Sequence, residues 1–260
     1  MITLVTELTT KQGVAMTDLH AYLRGGFSEQ AVVHGGSARL QKFVLSLRLP
    51  DADIDSFAEA RGWSAAPDAI LQFSFSTAED AAAAMTAADD HLLSSPELLA
   101  LVAEDRLSTF AAEERVVFET MSPQQRWARV AGVDLPVKMV VQNWKRPDLS
   151  FEKFSRHWHD VHGALVSQHG PAMGYRRYVQ SQLATDLQLA AVTKRASRRT
   201  FPDGGMAEVW WTNCSVMKQE LASPAGLAAS AAMEVDEVNF VNPPLLTAFL
   251  ATELLVVGQP

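Results

Sequence analysis

LSFEKFSRHWHDVHGALVSQHGPAMGYRRY, Leu149 to Tyr178, sets the reading of the whole chain. Ser150 is placed to cap a helix, although Lys153 stands where a reciprocal capping box needs Glu or Gln. Phe151, Phe154, Trp158, Val161 and Leu165 recur at helical spacing and predict one buried face. His162 falls beside Val161 and one turn after Trp158, at the edge of that face. A polar ring delivered there is a candidate acid, base or ligand; the plain alternative is a core histidine with a satisfied hydrogen bond. Gly170-Pro171 ends the helix, and Tyr175 to Gln182 reads as a strand.

Outward from this stretch, the N-terminal part reads as Ile2 to Leu8 strand, Thr17 to Val33 helix with Thr17 as its cap, and Leu40 to Leu49 strand. Pro50 to Asp68 is polar and irregular, with a helical turn or two from Ile54 to Ala60. Ala69 to Ser76 is a third strand, Thr77 caps an alanine-rich helix through Ala88, Pro96 to Val102 is a short helix, and Arg115 to Glu119 a fourth strand. The order β-α-β-β-α-β is that of a ferredoxin-like unit.

A shift of 135 residues repeats this order. Ile2, Leu4 and Val5 fall on Val137, Met139 and Val140; Leu19 and Leu23 fall on Phe154 and Trp158; Phe43-Val44 falls on Tyr178-Val179. One long period means two copies of a small domain rather than a solenoid. The expected division is residues 1–121, a connector at 122–135, and residues 136–260. A four-stranded sheet with helices on one face leaves an apolar face to be covered, so the two sheets are expected to cover each other. His162 falls on Phe27, so the first copy lacks the histidine.

Composition bounds the function. The chain of 260 residues is 48% apolar, enough for a sizeable core, and carries a formal charge of −8. That charge disfavours a nucleic-acid partner, which needs clustered cations. The excess is confined to the first half, with 18 acidic and 10 basic residues before Asp134 and 12 of each from there on. The single cysteine, Cys214, cannot pair internally, and no apolar run approaches the roughly 18 residues of a membrane span. The start of the chain reads as a strand and not a signal segment, so a cytoplasmic location without membrane association is expected.

The string KRPDLSFEKFSRHWHDVHG followed by GYRRYVQ resembles the EthD family of the dimeric α+β barrel superfamily. There a basic-Pro-x-Leu-Ser turn enters a helix with Phe, Trp and a terminal His-Gly, and a strand with Arg-Tyr-Val-Gln follows. Ala207 to Trp211 and LASPAG, Leu221 to Gly226, resemble the family's third strand and second helix. The chain departs from the pattern at His157, where an aromatic is usual, and in the long segment from Leu183 to Gly205. The resemblance implies an α+β fold in which two tandem units, in one chain, form a barrel that the family usually builds as a homodimer. It also implies isomerase, dehydratase or decarboxylase chemistry on lactones, polyketides or aromatic catabolites. A further homodimer of the fused chain is allowed for.

No G-x-G-x-x-G, P-loop or G-x-S-x-G elbow occurs, which removes support for nucleotide-linked hydride transfer, phosphoryl transfer and serine acyl transfer. What remains is proton transfer, which imidazole performs at neutral pH without a cofactor. His162 is assigned as general base and acid, with Tyr175 or Tyr178 donating to a developing oxyanion. Trp158, Trp210 and Val161 are assigned to the walls of a site for a small apolar molecule. No metal is expected: on an α-helix His157 and His159 point about 200° apart, and both read as exposed surface. Haem is the competing ligand, because related barrels include haem proteins; KRASRR, Lys194 to Arg199, reads as a solvated loop rather than an anion site. A binding protein without catalysis is the alternative from a different class.

Overall fold

The computed structural model describes residues 1–37, 39–51, 54–55, 58–59, 62–63, 65–127, 135–197 and 203–258. β1 (Ile2–Leu8) leads into helix α1, composed of Met16–Tyr22, a π-helical turn Leu23–Phe27, and Ser28–Ser37. Then come β2 (Lys42–Leu49), β3 (Ala69–Phe75), α2 (Ala78–His91), α3 (Pro96–Leu101) and β4 (Ser108–Glu119). Helix α4 (Pro123–Trp127) starts the connector, whose residues 128–134 lie outside the described residues. The second copy runs β5 (Val137–Asn143), then α5, composed of Phe151–Arg156, a π-helical turn His157–His162, and Gly163–His169. It continues with β6 (Arg177–Leu183), α6 (Leu187–Ala196), β7 (Gly205–Trp211), α7 (Cys214–Ala222), α8 (Pro224–Glu237) and β8 (Thr247–Val257).

The eight strands close into a barrel in the order β1-β3-β2-β8-β5-β7-β6-β4. Each unit therefore contributes a β4-β1-β3-β2 type sheet, and the duplication is visible in the topology itself. Two antiparallel seams join the units, β2 to β8 and β4 to β6, each with one irregularity in register, between Phe43 and Val44 and between Val116 and Phe118. Bulges add local twist, which closing a sheet requires. Both long helices carry their π turn at the same place, ending at Phe27 and at His162.

Apart from the exposed second half of β4, the strands are largely buried on both faces, because helices cover the outside and the opposite sheet covers the inside. Leu4 and Leu8 of β1 pack outward on Leu19 and Phe27, whereas Val5 points inward to Val140 and Phe249 of the other unit. The inner face is not the apolar surface that sheet covering predicts. Lys138 reaches Glu208, Glu253 Oε1 at 2.8 Å and Gln72 Oε1 at 3.3 Å, and Gln72 returns Nε2 to Glu208 at 3.1 Å. Arg126 of the connector helix closes on Glu253 with bonds of 2.9 and 3.0 Å. Burial alone would raise the Glu253 carboxyl, but the Arg126 and Lys138 charges hold it well below the carboxylate range. Closure makes this tolerable, since Lys138, Glu208 and Glu253 each meet a partner from another strand.

Two local expectations change. Ala15, not Thr17, holds the cap position of α1, without a side-chain bond. The segment after Leu183 is not a plain loop: Lys194 belongs to α6, while 198 and 199 of the basic run lie outside the described residues. The β2–β3 and β6–β7 connections are exchanged between units. Leu189 and Ala196 of α6 are buried in the core of the first unit, and Ile54 and Trp63 pack on the core of the second.

Candidate active site

Ser150 caps α5 as its sequence suggests, its Oγ accepting from the Lys153 amide at 3.2 Å. Phe154 and Trp158 are then buried against the sheet. The π turn follows, closed by the Gly163 amide on the Trp158 carbonyl, which also accepts from Gln180 Nε2 at 2.7 Å. A π turn spends one extra residue per turn, so it advances the buried stripe by one position. The expected series Phe154, Trp158, Val161, Leu165 becomes Phe154, Trp158, His162, Val166. His162 is 6% exposed, and Val161 is 45% exposed on the outer surface, so the assignment of Val161 to the wall is corrected.

The same extra residue makes positions five apart neighbours on one face. His157 and His162 both bond Asp236 of α8, His157 Nε2 to Oδ1 at 2.8 Å and His162 Nδ1 to Oδ2 at 3.0 Å. His157 is thus half-buried in a polar trio and not plain surface, whereas His159 pairs with its neighbour Asp160 at the exposed side of the helix. Burial opposes ionisation of Asp236, but the bonds from His162 and His157 outweigh it and hold its pKa below the ordinary carboxylate value. An ionised carboxylate only accepts, so His162 carries its proton on Nδ1. Nε2, which makes no hydrogen bond to a described residue, is left as the lone pair available to a molecule alongside. Phe240 lies against both rings, with centroids 5.1 Å from His157 and 5.0 Å from His162.

His162 lines a cavity of about 400 Å³ between the outer face of the second sheet and helices α5 and α8. Met139, Val141, Val209, Trp158 and Trp211 make it predominantly apolar. Tyr175 and Tyr178 both line it, although an unbroken strand would turn them to opposite sides. Tyr175 precedes β6, and Gly174, at φ +75°, turns the chain so that its ring enters the cavity edge-on to Trp211 at 5.0 Å. A Cβ at Gly174 would lie 2.7 Å from Glu220 Cγ. Tyr178 Oη accepts from Trp158 Nε1 at 3.1 Å. Burial pushes both phenols up, with Glu237 adding to the effect on Tyr175, so each stays protonated and able to donate.

Trp210 is not in this cavity. Strand alternation turns it into the lumen, where Nε1 donates to Glu253 at 2.8 Å, and its neighbour Trp211 takes the wall. Asp236 and the rim carboxylates Glu234 and Glu237 were not among the sequence candidates. The signal for Asp236 was present: Ala229, Met233 and Asp236 form one buried stripe of α8, and an acid on such a stripe calls for a partner. Among the described residues no group of three or more His, Cys, Asp or Glu side chains is arranged to hold a metal, and no helix is long and apolar enough to cross a membrane.

The EthD domain model matches residues 146–244, a stretch within the second unit that holds α5 and Asp236. No curated protein matches the chain in sequence. Among solved structures, an anthrone oxidase-like protein shares the fold over 100% of this chain and 96% of its own, with TM-score 0.57 at 10% identity. An ethyl tert-butyl ether d (ethd) family protein of Bacillus halodurans aligns over 45% of this chain and 96% of its own, with TM-score 0.31 at 17% identity. A dye-decolorizing peroxidase of Bacteroides thetaiotaomicron aligns over 96% and 92%, with TM-score 0.48 at 10% identity. The likeness to the anthrone oxidase-like protein is one of fold.

Proposed function

We propose that the second unit is a cofactor-independent lyase or isomerase that uses His162 as general base and then acid on a neutral, apolar cyclic substrate. The observation that carries this is the His162–Asp236 pair set against an apolar cavity, with Nε2 bonded to none of the described residues. In the first step Nε2 takes a proton from a carbon or hydroxyl next to a carbonyl. Asp236 holds the tautomer and stabilises the imidazolium, and the protonated Tyr178 or Tyr175 donates to the developing oxyanion. The imidazolium returns its proton to another carbon in an isomerisation, or to a departing hydroxyl in a dehydration. Decarboxylation starts from the same base, but a carboxylate substrate would meet Glu234 and Glu237 and, among the described lining residues, no Lys or Arg.

The same lining fits haem poorly. His162 would be the residue to hold its iron, because ligating histidines commonly donate their other N–H to a carboxylate, as His162 does to Asp236. Two propionates, however, would find glutamates and no cation on the described lining. Adding hemin should give no Soret shift.

The test is incubation in D2O with neutral cyclic ketones, hydroxy-lactones and polyketide-like phenols, anthrone among them, read by mass for product or deuterium uptake. Turnover by the wild type that is lost in His162→Gln supports the base. Full turnover by His162→Gln would sink it. Tight binding with no exchange or product across the panel points to a binding protein.

A further inference from the structure

The first unit has Phe27 where the second has His162, yet it does more than hold the second sheet. We infer that its β2–β3 connection supplies a wall of the cavity in the second unit, and that Trp63 and Ile54 set the length of ring system the cavity accepts. The inference rests on the proposed reading of that cavity as a ligand site.

Trp63 and Ile54 both line the cavity, about a hundred residues before His162 in sequence and in the other copy of the duplicated unit. Their placement is tied down from both sides. Asp51 Oδ1 accepts from the Ile54 amide at 3.2 Å, and Asp51 Oδ2 pairs with Lys218 of α7, in the second unit, at 2.9 Å. Arg48, at the end of β2, holds Asp55 at 2.8 Å. The Trp63 amide closes on the Ala58 carbonyl at 3.0 Å. The connection thus carries two apolar side chains across the junction and fixes its start there with an ion pair.

The equivalent connection in the second unit does the opposite. Helix α6 crosses to the first unit and buries Leu189 and Ala196 in a core already holding Phe27 and the stacked pair Phe43 and Phe73, whose centroids are 4.3 Å apart. One crossing segment fills the space of its host, and the other bounds a cavity. The cavity that holds the base is therefore lined by Trp158, Tyr178 and Trp211 from the second unit together with an indole and an isoleucine from the first. Large apolar side chains that desolvate one end of a pocket discriminate by shape, each methylene-sized change altering affinity by about tenfold or more.

The probes are 1-naphthol, with two rings, and 9-phenanthrol, with three, titrated by calorimetry against the full chain. Trp63→Ala should weaken 9-phenanthrol by about tenfold and reduce its preference over 1-naphthol. Trp63→Phe should recover part of the loss, and Ile54→Ala should move both quantities in the same direction by a smaller factor. Val161→Ala, on the outer surface, should change neither. Unchanged binding of both probes to Trp63→Ala and Ile54→Ala, while Trp211→Ala weakens them, would overturn the shared wall and leave the cavity as a ligand site. A wild type that binds neither probe would overturn the cavity reading and the wall with it.

Discussion

Asp236 Oδ2 lies 3.0 Å from His162 Nδ1, across 74 residues of chain, and its other oxygen is held by His157 at 2.8 Å. Its helix, α8, has 14 residues where the equivalent α3 has 6, both beginning at a Ser-Pro step, Ser223-Pro224 and Ser95-Pro96. Asp236 lies in the added length. The two units therefore differ by a whole acid–base pair, and not only by the exchange of histidine for Phe27.

Asp236→Asn should lower kcat by about two to four powers of ten, because an amide no longer enforces the Nδ1–H tautomer. Melting temperature should fall only modestly, since the amide oxygen still accepts one imidazole proton while the carboxylate's second bond and charge are lost. The check is turnover with the substrate found in the D2O screen, alongside thermal unfolding. Retained kcat would remove Asp236 from the mechanism.

Acid should destabilise the protein in two windows. Burial depresses the His20 imidazole, with its bond to the Asp68 carbonyl opposing, so stability falls as pH drops below the unfolded histidine value of about 6.5. Asp236 and Glu253 are depressed, so what they contribute is present above the unfolded carboxylate values near 4 and is lost as pH falls through their folded values. Melting temperature followed from pH 8 to pH 2 should fall in both ranges. His20→Gln should flatten the upper one and Glu253→Gln the lower.

Phe27→Ala should destabilise by about 3–5 kcal/mol, since the ring is fully buried among Tyr22 and Phe43. Phe27→His in a His162→Gln background should restore no turnover, because α3 stops at Leu101 and has no turn equivalent to the one that carries Asp236. Denaturant melts and the mass assay check the two halves of this prediction.

Lys138→Met should cost about 3–5 kcal/mol by leaving Glu208 and Glu253 in the lumen without their shared cation. Probe binding should be retained, as Lys138 points away from the cavity. Denaturant unfolding of Lys138→Met beside Lys138→Met/Glu208→Gln checks it, with the second variant recovering part of the loss.

The architecture was legible because duplication leaves a constant offset, and the offset places Ile2 on Val137 and Phe43 on Tyr178 regardless of helix details. The candidate base was legible too, as a histidine on a buried stripe. Its partner was hidden by the assumption of uniform α-helical phase: a π turn turns Val161 outward and brings His157 into register with His162. Trp210 and Trp211 cannot be distinguished without knowing which face of β7 meets the lumen, and a lumen lined by Lys138, Glu208 and Glu253 does not announce itself as an interior. Trp63 was out of reach, because the exchange of connections between units has no local sequence signature.

The seam between β2 and β8 pairs Phe43 with Val257 and Leu49 with Leu250. A contact spanning nearly the whole chain fixes the order of assembly during synthesis. While the ribosome is still translating the second unit, the first must wait with the edges of β2 and β4 unpaired, and bare edges invite pairing with other chains. Closure comes only when the last strand arrives, and non-local pairing of this kind is slow. Long-lived, aggregation-prone half-barrels are the natural hazard of building a dimer's architecture from a single polypeptide.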